Sequence, residues 1–177
     1  MNKEQIVPVV TLSLICLFVS GALAVGNVFT KPVIEAAAEE RAAEARKMII
    51  PEAEDFERLE IADLPRTVAE VFRATNGMGY IFTISVMGYD SQNPIRFIIG
   101  IDPDGSIIRT QVLGHMETKG LGTRVFDESH AGLYWGNTRS GIEGINAIAG
   151  VTITSNAFKN GIRDAFAAFE IVKEGEE

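Results

Sequence analysis

Residues 79–113 read GYIFTISVMGYDSQNPIRFIIGIDPDGSIIRTQVL, and they supply most of the predicted sheet. Together with the residues just before it, the stretch contains four runs rich in β-branched and aromatic residues: Val68–Thr75, Gly79–Met87, Ile95–Asp102 and Ser106–Leu113. Such runs, separated by turn residues, predict strands. Asp102-Pro103-Asp104-Gly105 predicts a tight turn, so the last two strands form a hairpin. Four short strands without intervening helices favour an antiparallel sheet.

The carboxy-terminal part of the chain has a different period. Between Ser155 and Val172, apolar residues recur every three or four positions, which predicts a helix with one buried face. These residues are Phe158, Ile162, Ala165, Phe166, Phe169 and Val172. The predicted fold class is therefore α+β, with an antiparallel sheet flanked by helices.

The amino-terminal segment carries no charged residue from Ile6 to Phe29. A helix of this length spans the roughly 30 Å hydrocarbon core of a bilayer, so the segment predicts one transmembrane helix. A secretory signal peptide is the alternative, because Ala22-Leu23-Ala24 resembles a cleavage site. Apolar residues continue past that site through Val28 and Phe29, which favours an anchor that is not cleaved.

An Ala- and Glu-rich segment, Pro32–Ile49, predicts a helical stalk that begins at its proline and ends before Pro51. We expect three regions: an anchor over residues 1–31, a stalk and linker over 32–60, and a soluble domain over 61–177. Lys3 precedes the uncharged span Ile6–Phe29, and four basic residues follow it, which by charge alone places the soluble domain in the cytoplasm. Interleaved glutamates weaken that argument.

Composition excludes several functions. The chain has 24 Asp and Glu against 16 Lys and Arg and no basic cluster, so no nucleic acid partner is expected. Its one cysteine, Cys16, lies in the apolar segment, so we expect neither an internal disulfide nor a metal site. The two histidines, His115 and His130, are interpreted as solvated, and Tyr134 and Trp135 as core residues on a strand. No catalytic triad or dyad is expected, and any redox chemistry requires an organic cofactor or a partner's metal.

Two segments are candidates for ligand binding. In the first, Gly150 lies just before hydroxyl residues at 152, 154 and 155 and the start of the predicted helix. Glycine admits close backbone approach and a helix start offers free N–H groups, which together suit a phosphate. The alternative is that Thr154 or Ser155 only caps the helix.

The second segment, Gly114–Gly122, follows the fourth predicted strand and reads GHMETKGLG. It lacks the G-x-G-x-x-G pattern of dinucleotide-binding folds. A flexible turn is the alternative to a binding loop here.

These residues resemble one family. Residues 79–122 are similar to the FMN-binding domain found in the G subunits of Rnf electron-transport complexes and in the C subunit of the sodium-pumping NADH:quinone oxidoreductase. The later AGVTITSNA resembles that family's S/T-G-A-T attachment motif followed by T-S-N-A, with Asn146, Ala149 and Val151 at departing positions. The stalk that begins Thr30-Lys31-Pro32 is also similar, and the chain's length suits the Rnf subunit.

The resemblance implies that Thr152 receives FMN from FAD through a flavin transferase and keeps it as a phosphoester. It also implies a set of flavin-lining residues: Glu117, Thr118, Gly120, Leu121, Gly122, Gly150, Val151 and Thr154. No catalytic residue and no metal ligand is expected.

By the same resemblance, the chain is an electron-carrier subunit that is not catalytic on its own. Electrons pass from ferredoxin towards NAD while sodium ions or protons cross the membrane. Its partners are membrane lipid and the other membrane subunits, and the flavin domain lies on the outer face. Two alternatives stay open: a structural subunit of the same complex without covalent flavin, and an anchored domain that binds flavin reversibly.

Overall fold

The computed structural model describes residues 3–176, with side chains from Val7 onward. The chain divides into two compact units, Met1–Arg41 and Ala42–Glu177. Residues 1 and 2 of the predicted anchor and residue 177 of the predicted soluble domain lie outside the described residues.

Helix α1 spans Lys3–Ile49 and contains Pro8 and Pro32. Residues 32–49 are helical, as predicted for the stalk, but the helix does not begin at Pro32, because it continues without a break from the apolar segment. Apolar residues before Pro32 and Ala/Glu residues after it all favour helix, so one missing N–H does not end it. The segment Val7–Ile49 is long and apolar enough to cross a membrane, with a mean hydropathy of 2.3 in its most apolar window.

A five-stranded antiparallel sheet follows, with its strands in chain order. The strands are β1 (Phe56–Leu59), β2 (Val68–Ala74), β3 (Tyr80–Val86), β4 (Ile95–Ile101) and β5 (Ile107–Gly114). The α+β prediction and the four predicted strands, β2–β5, are confirmed. The predicted turn is also present, since Gly105 has φ +84° and donates its N–H to the Asp102 carbonyl at 3.0 Å.

Strand β1 was not predicted and lies within the segment interpreted as linker. It is an edge strand whose outer positions carry charge, so it lacks the apolar content that identifies β2–β5. It pairs antiparallel with β2, and two cross-strand ion pairs accompany the ladder: Arg58 lies 3.2 Å from Glu70, and Glu57 lies 2.8 Å from Arg73. Pairing that depends on partners in another strand is not visible in the segment itself.

Helix α3 (Thr152–Glu176) covers one face of the sheet. Its Phe158 ring lies 4.7 Å from Phe97 of β4, and Phe169 contacts Tyr80 of β3 edge to face at 5.7 Å, centroid to centroid. The helix approaches closely because it presents Gly161 to the sheet. A Cβ on Gly161 would lie 2.8 Å from Ile84 Cγ2 and from Phe97 Cζ.

The other face of the sheet is covered within the same unit by the carboxy-terminal end of α1. Ala45 and Ile49 pack there with Ile81 and Ile98. The Arg46 guanidinium lies 4.1 Å from the centre of the Phe72 ring. Strands β3 and β4 are therefore buried on both faces, which explains their continuous apolar sequence.

The segment between β5 and α3 contains α2 (Glu128–Ala131) and three short 3₁₀ helices, Gly122–Val125, Gly132–Tyr134 and Gly141–Gly144. Tyr134 is fully buried, as predicted, but it belongs to a 3₁₀ helix rather than to a strand. Trp135 follows it and donates from Nε1 to the Thr110 hydroxyl at 3.2 Å.

His130 is buried, with 7% of its surface exposed, so the prediction that it is solvated is wrong. Helix α2 directs its ring against Tyr134, 5.8 Å away edge to face. Among the described residues its Nε2 has no hydrogen-bond partner. Burial lowers the pKa of the imidazole below its usual value.

We predict that Gly161→Val destabilises the protein by about 2 kcal/mol, because the added side chain overpacks the contact between α3 and the sheet. Gly175→Val is the matched control: it lies in the same helix, and a Cβ there meets no atom within 4 Å. Its effect should stay within about 0.5 kcal/mol. Denaturation of the detergent-solubilised chain, followed by Trp135 fluorescence, measures both. Equal effects in the two variants would contradict this account of the packing.

We predict that the free energy of unfolding falls as pH drops below about 6.5, the usual pKa of histidine. Because the pKa of His130 is lower in the folded state, the unfolded chain binds the proton first and acid favours unfolding. One proton gives a slope of at most about 1.4 kcal/mol per pH unit. His130→Phe keeps a ring against Tyr134 and should reduce the slope between pH 5 and 6.5. An unchanged slope in this variant would refute the assignment to His130.

Candidate functional site

A cavity of about 580 Å³ lies where the loop after β3, the loop after β5 and the start of α3 meet. This volume lies in the usual range for small-molecule and cofactor sites. The residues that line it are Tyr89, Glu117, Thr118, Leu121, Gly122, Gly150, Val151, Thr152, Ile153 and Thr154. The two segments that the sequence singled out, residues 114–122 and residues 150–155, thus form one pocket.

Gly120 is the one predicted lining residue that does not face the cavity. It has φ +77° and donates its N–H to the Thr123 hydroxyl at 2.9 Å, so its role is to form the turn. Two lining residues were not predicted, Tyr89 and Ile153. Ile153 lies between two predicted residues, whereas nothing in the sequence links the loop that holds Tyr89 to the other two segments.

Glu117 connects the three segments around the cavity. Its Oε1 accepts the backbone N–H of Tyr89 at 2.9 Å and that of Asp90 at 3.3 Å. Its Oε2 accepts the Thr154 hydroxyl at 2.8 Å. The side chain is buried, with 7% exposed, and its position beside the first turn of α3 is favourable for a negative charge. One carboxylate therefore joins segments that are far apart in the chain.

Two glycines provide the space for this carboxylate. A Cβ on Gly88 would collide with Glu117 Oε1, and a Cβ on Gly122 would lie 2.6 Å from Oε2. Neither glycine has positive φ, so close approach rather than backbone conformation requires them.

Helix α3 begins at Thr152, three residues earlier than its periodicity predicts. The alternative that Thr154 or Ser155 caps the helix is wrong, since both lie inside the first turn. The Thr154 hydroxyl is bonded to Glu117, and the Ser155 Oγ accepts the N–H of Ile148 at 3.2 Å. Gly150, with φ +81°, turns the chain into the helix.

Thr152 is exposed at the cavity wall. The first helical bond of α3 runs from the Ser155 N–H to the Val151 carbonyl at 2.9 Å, so the N–H groups of residues 152–154 precede the helical ladder. Among the described residues the Thr152 hydroxyl forms no hydrogen bond. The start of α3 therefore combines an available hydroxyl with unpaired helix N–H groups.

His115 does not face open solvent as predicted. It is half-buried, its ring packs 5.0 Å from Phe126, and its Nδ1 accepts the Glu117 N–H at 3.2 Å. Its contacts shape the loop that carries Glu117. Among residues 7–176, whose side chains the structure describes, no group of three or more His, Cys, Asp or Glu side chains is placed to hold a metal ion.

The cavity lies within the part of the chain that resembles a known domain. The sequence model of the FMN-binding domain matches residues 88–167, a range that contains every lining residue of the cavity. The matched range runs from the loop after β3 into α3.

Similar proteins are the G subunits of ion-translocating oxidoreductase complexes. The G subunit of the Na(+)-translocating ferredoxin:NAD(+) oxidoreductase complex of Acetobacterium woodii is 28% identical, covering 84% of this chain and 84% of its own length. The G subunit of the ion-translocating oxidoreductase complex of Methanosarcina acetivorans is 28% identical over 93% of this chain and 94% of its own. The corresponding protein of Stutzerimonas stutzeri is 31% identical over 65% of this chain and 53% of its own.

Three findings agree: a long apolar helix, an FMN-binding domain around one pocket, and similarity over most of the chain to these G subunits. These findings support a G subunit of the Rnf type, that is, a membrane-associated flavoprotein subunit of electron transport.

Proposed function

We propose that Thr152 carries FMN as a phosphoester and that this flavin passes electrons within an ion-translocating ferredoxin:NAD oxidoreductase. The available hydroxyl of Thr152, at the wall of the cavity and the start of α3, is the observation that supports the proposal. The subunit is a carrier and catalyses no reaction alone. Its partners are the other membrane subunits of the complex.

The pocket suits both parts of FMN. Apolar side chains of Leu121, Val151 and Ile153 line one part of the wall and suit a flat aromatic ring. The unpaired N–H groups in the first turn of α3 suit a phosphate. When bound, the flavin supplies the redox chemistry, while the protein holds it and sets its surroundings. Glu117, Thr118, Gly122, Gly150 and Thr154 complete the proposed lining.

The proposed attachment step transfers FMN from FAD to the Thr152 hydroxyl. The Thr152 Oγ bonds to the FMN phosphorus, the bond between the two phosphates of FAD breaks, and AMP leaves. The hydroxyl proton is released. A flavin transferase is the partner that performs this step during maturation, and the exposed position of Thr152 is accessible to such an enzyme.

The departures from the family motif leave the hydroxyl accessible. Asn146 and Ala149 are exposed. Val151, which is larger than the alanine of the motif, is 5% exposed and packs in the core beneath the helix start. None of the three replaces Thr152 or Thr154, so the attachment site keeps its hydroxyl and its link to Glu117.

In the membrane, we propose that residues 1–31 form the anchor and contact lipid, that residues 32–60 form the stalk and linker, and that residues 61–177 form the FMN domain. We place that domain on the outer face of the cell membrane. The apolar, unburied character of the amino-terminal part of α1 supports the anchor.

We predict that the full chain, coexpressed with a flavin transferase, gains the mass of one FMN less one water. The adduct should remain fluorescent after denaturing electrophoresis, because an ester survives unfolding. Thr152→Val should lose the adduct completely. Intact-mass spectrometry and in-gel fluorescence measure both effects.

Thr138→Val is the matched control, since Thr138 is exposed and lies outside the cavity; it should keep the adduct. A flavin that is lost on denaturation would instead identify reversible binding. A flavin-free chain in an intact complex would identify a structural subunit. Either result would refute covalent attachment.

We predict that Thr138→Cys in a Cys16→Ser background reacts with a membrane-impermeant maleimide in intact spheroplasts. Thr138 lies on the exposed surface of the soluble domain, so its labelling reports which side of the membrane that domain occupies. The Cys16→Ser chain alone is the control and should not react. Labelling only after lysis would place the domain in the cytoplasm.

A further inference from the structure

Glu117 is a buried carboxylate in the wall of the cavity, and holding FMN as such does not require its charge. Three donors approach it, the N–H groups of Tyr89 and Asp90 and the hydroxyl of Thr154, and all of them are neutral. Among the residues whose side chains are described, no Lys, Arg or His forms an ion pair with it. The site therefore contains a negative charge without a paired cation.

The surroundings preserve the effect of that charge. The side chain is 7% exposed, and Leu121, Val151 and Ile153 contribute apolar surface to the same cavity. Charges act over longer distances where water is excluded, because the effective dielectric constant is lower there. A ligand in this cavity therefore experiences the field of the carboxylate.

We propose that Glu117 is the residue that lowers the reduction potential of the flavin in this site. Reduction adds electrons to the ring, and a neighbouring negative charge disfavours the added charge. A carrier whose potential is lowered in this way donates electrons more readily. The inference rests on the proposed FMN site.

Two substitutions separate an effect of the Glu117 charge from a purely structural role of its hydrogen bonds. Glu117→Gln removes the charge but keeps an oxygen that can accept from Tyr89 and Asp90, and its amide can donate to the Thr154 hydroxyl. Thr154→Val removes one hydrogen-bond donor but leaves the charge, which is then stabilised by two donors instead of three. The two substitutions should move the potential in opposite directions if charge is the cause. Loosening of the loops would instead move the potential in the same direction in both variants.

The experiment is a redox titration of the flavin-loaded full chain in detergent, followed by flavin absorbance. We expect a more positive midpoint potential in Glu117→Gln, a more negative one in Thr154→Val, and no change in Thr138→Val. Equal potentials, or shifts of one sign in both pocket variants, would overturn the inference. If Glu117→Gln does not fold, an unchanged or more positive potential in Thr154→Val overturns it alone.

The result also separates this inference from the function on which it rests. Wild-type chain without flavin would refute the proposed FMN site, and the tuning role with it. Wild-type chain with flavin, and unshifted potentials in the variants, would refute only the tuning role.

Discussion

The contact between α3 and the sheet sets the position of the pocket. Gly161 allows the helix to lie against Ile84 and Phe97, and Phe158 packs on Phe97 one turn earlier. At the other end of the helix, Tyr80 donates its hydroxyl to Glu176 at 2.5 Å. These contacts hold both ends of α3 on the sheet. The first turn of the helix, with Thr152, is therefore placed by the core rather than by its own loop.

Glu117 joins the loops around the cavity to the helix that the core positions. It joins residues that lie 28 and 37 positions from it in the chain, through hydrogen bonds to Tyr89 and Thr154. Gly88 and Gly122 are required because the carboxylate occupies the volume that their side chains would fill. A buried carboxylate without donors would be costly, so the arrangement holds only while all three segments keep their positions.

The cavity combines features that suit an FMN-binding domain. Its lining residues provide apolar surface, four hydroxyl-bearing side chains, one carboxylate and the unpaired N–H groups at the start of α3. Apolar surface suits a flat aromatic ring, and unpaired helix N–H groups suit a phosphate. The amino-terminal helix is long and apolar enough to cross a membrane, which agrees with the similarity of the chain to a subunit of an ion-translocating complex.

Local patterns in the sequence were enough to predict the apolar helix, the α+β class, strands β2–β5 and α3, because periodicity and turn chemistry are local properties. The residues proposed to line the flavin came from the resemblance to a family, and all of them except Gly120 lie around the cavity. Three other features appear only in the folded chain. Edge strand β1 forms by pairing with β2, His130 is buried by packing against Tyr134, and the backbone of Tyr89 is bonded to Glu117 at the cavity. Each of these depends on groups that meet only when the chain has folded, which no local pattern records.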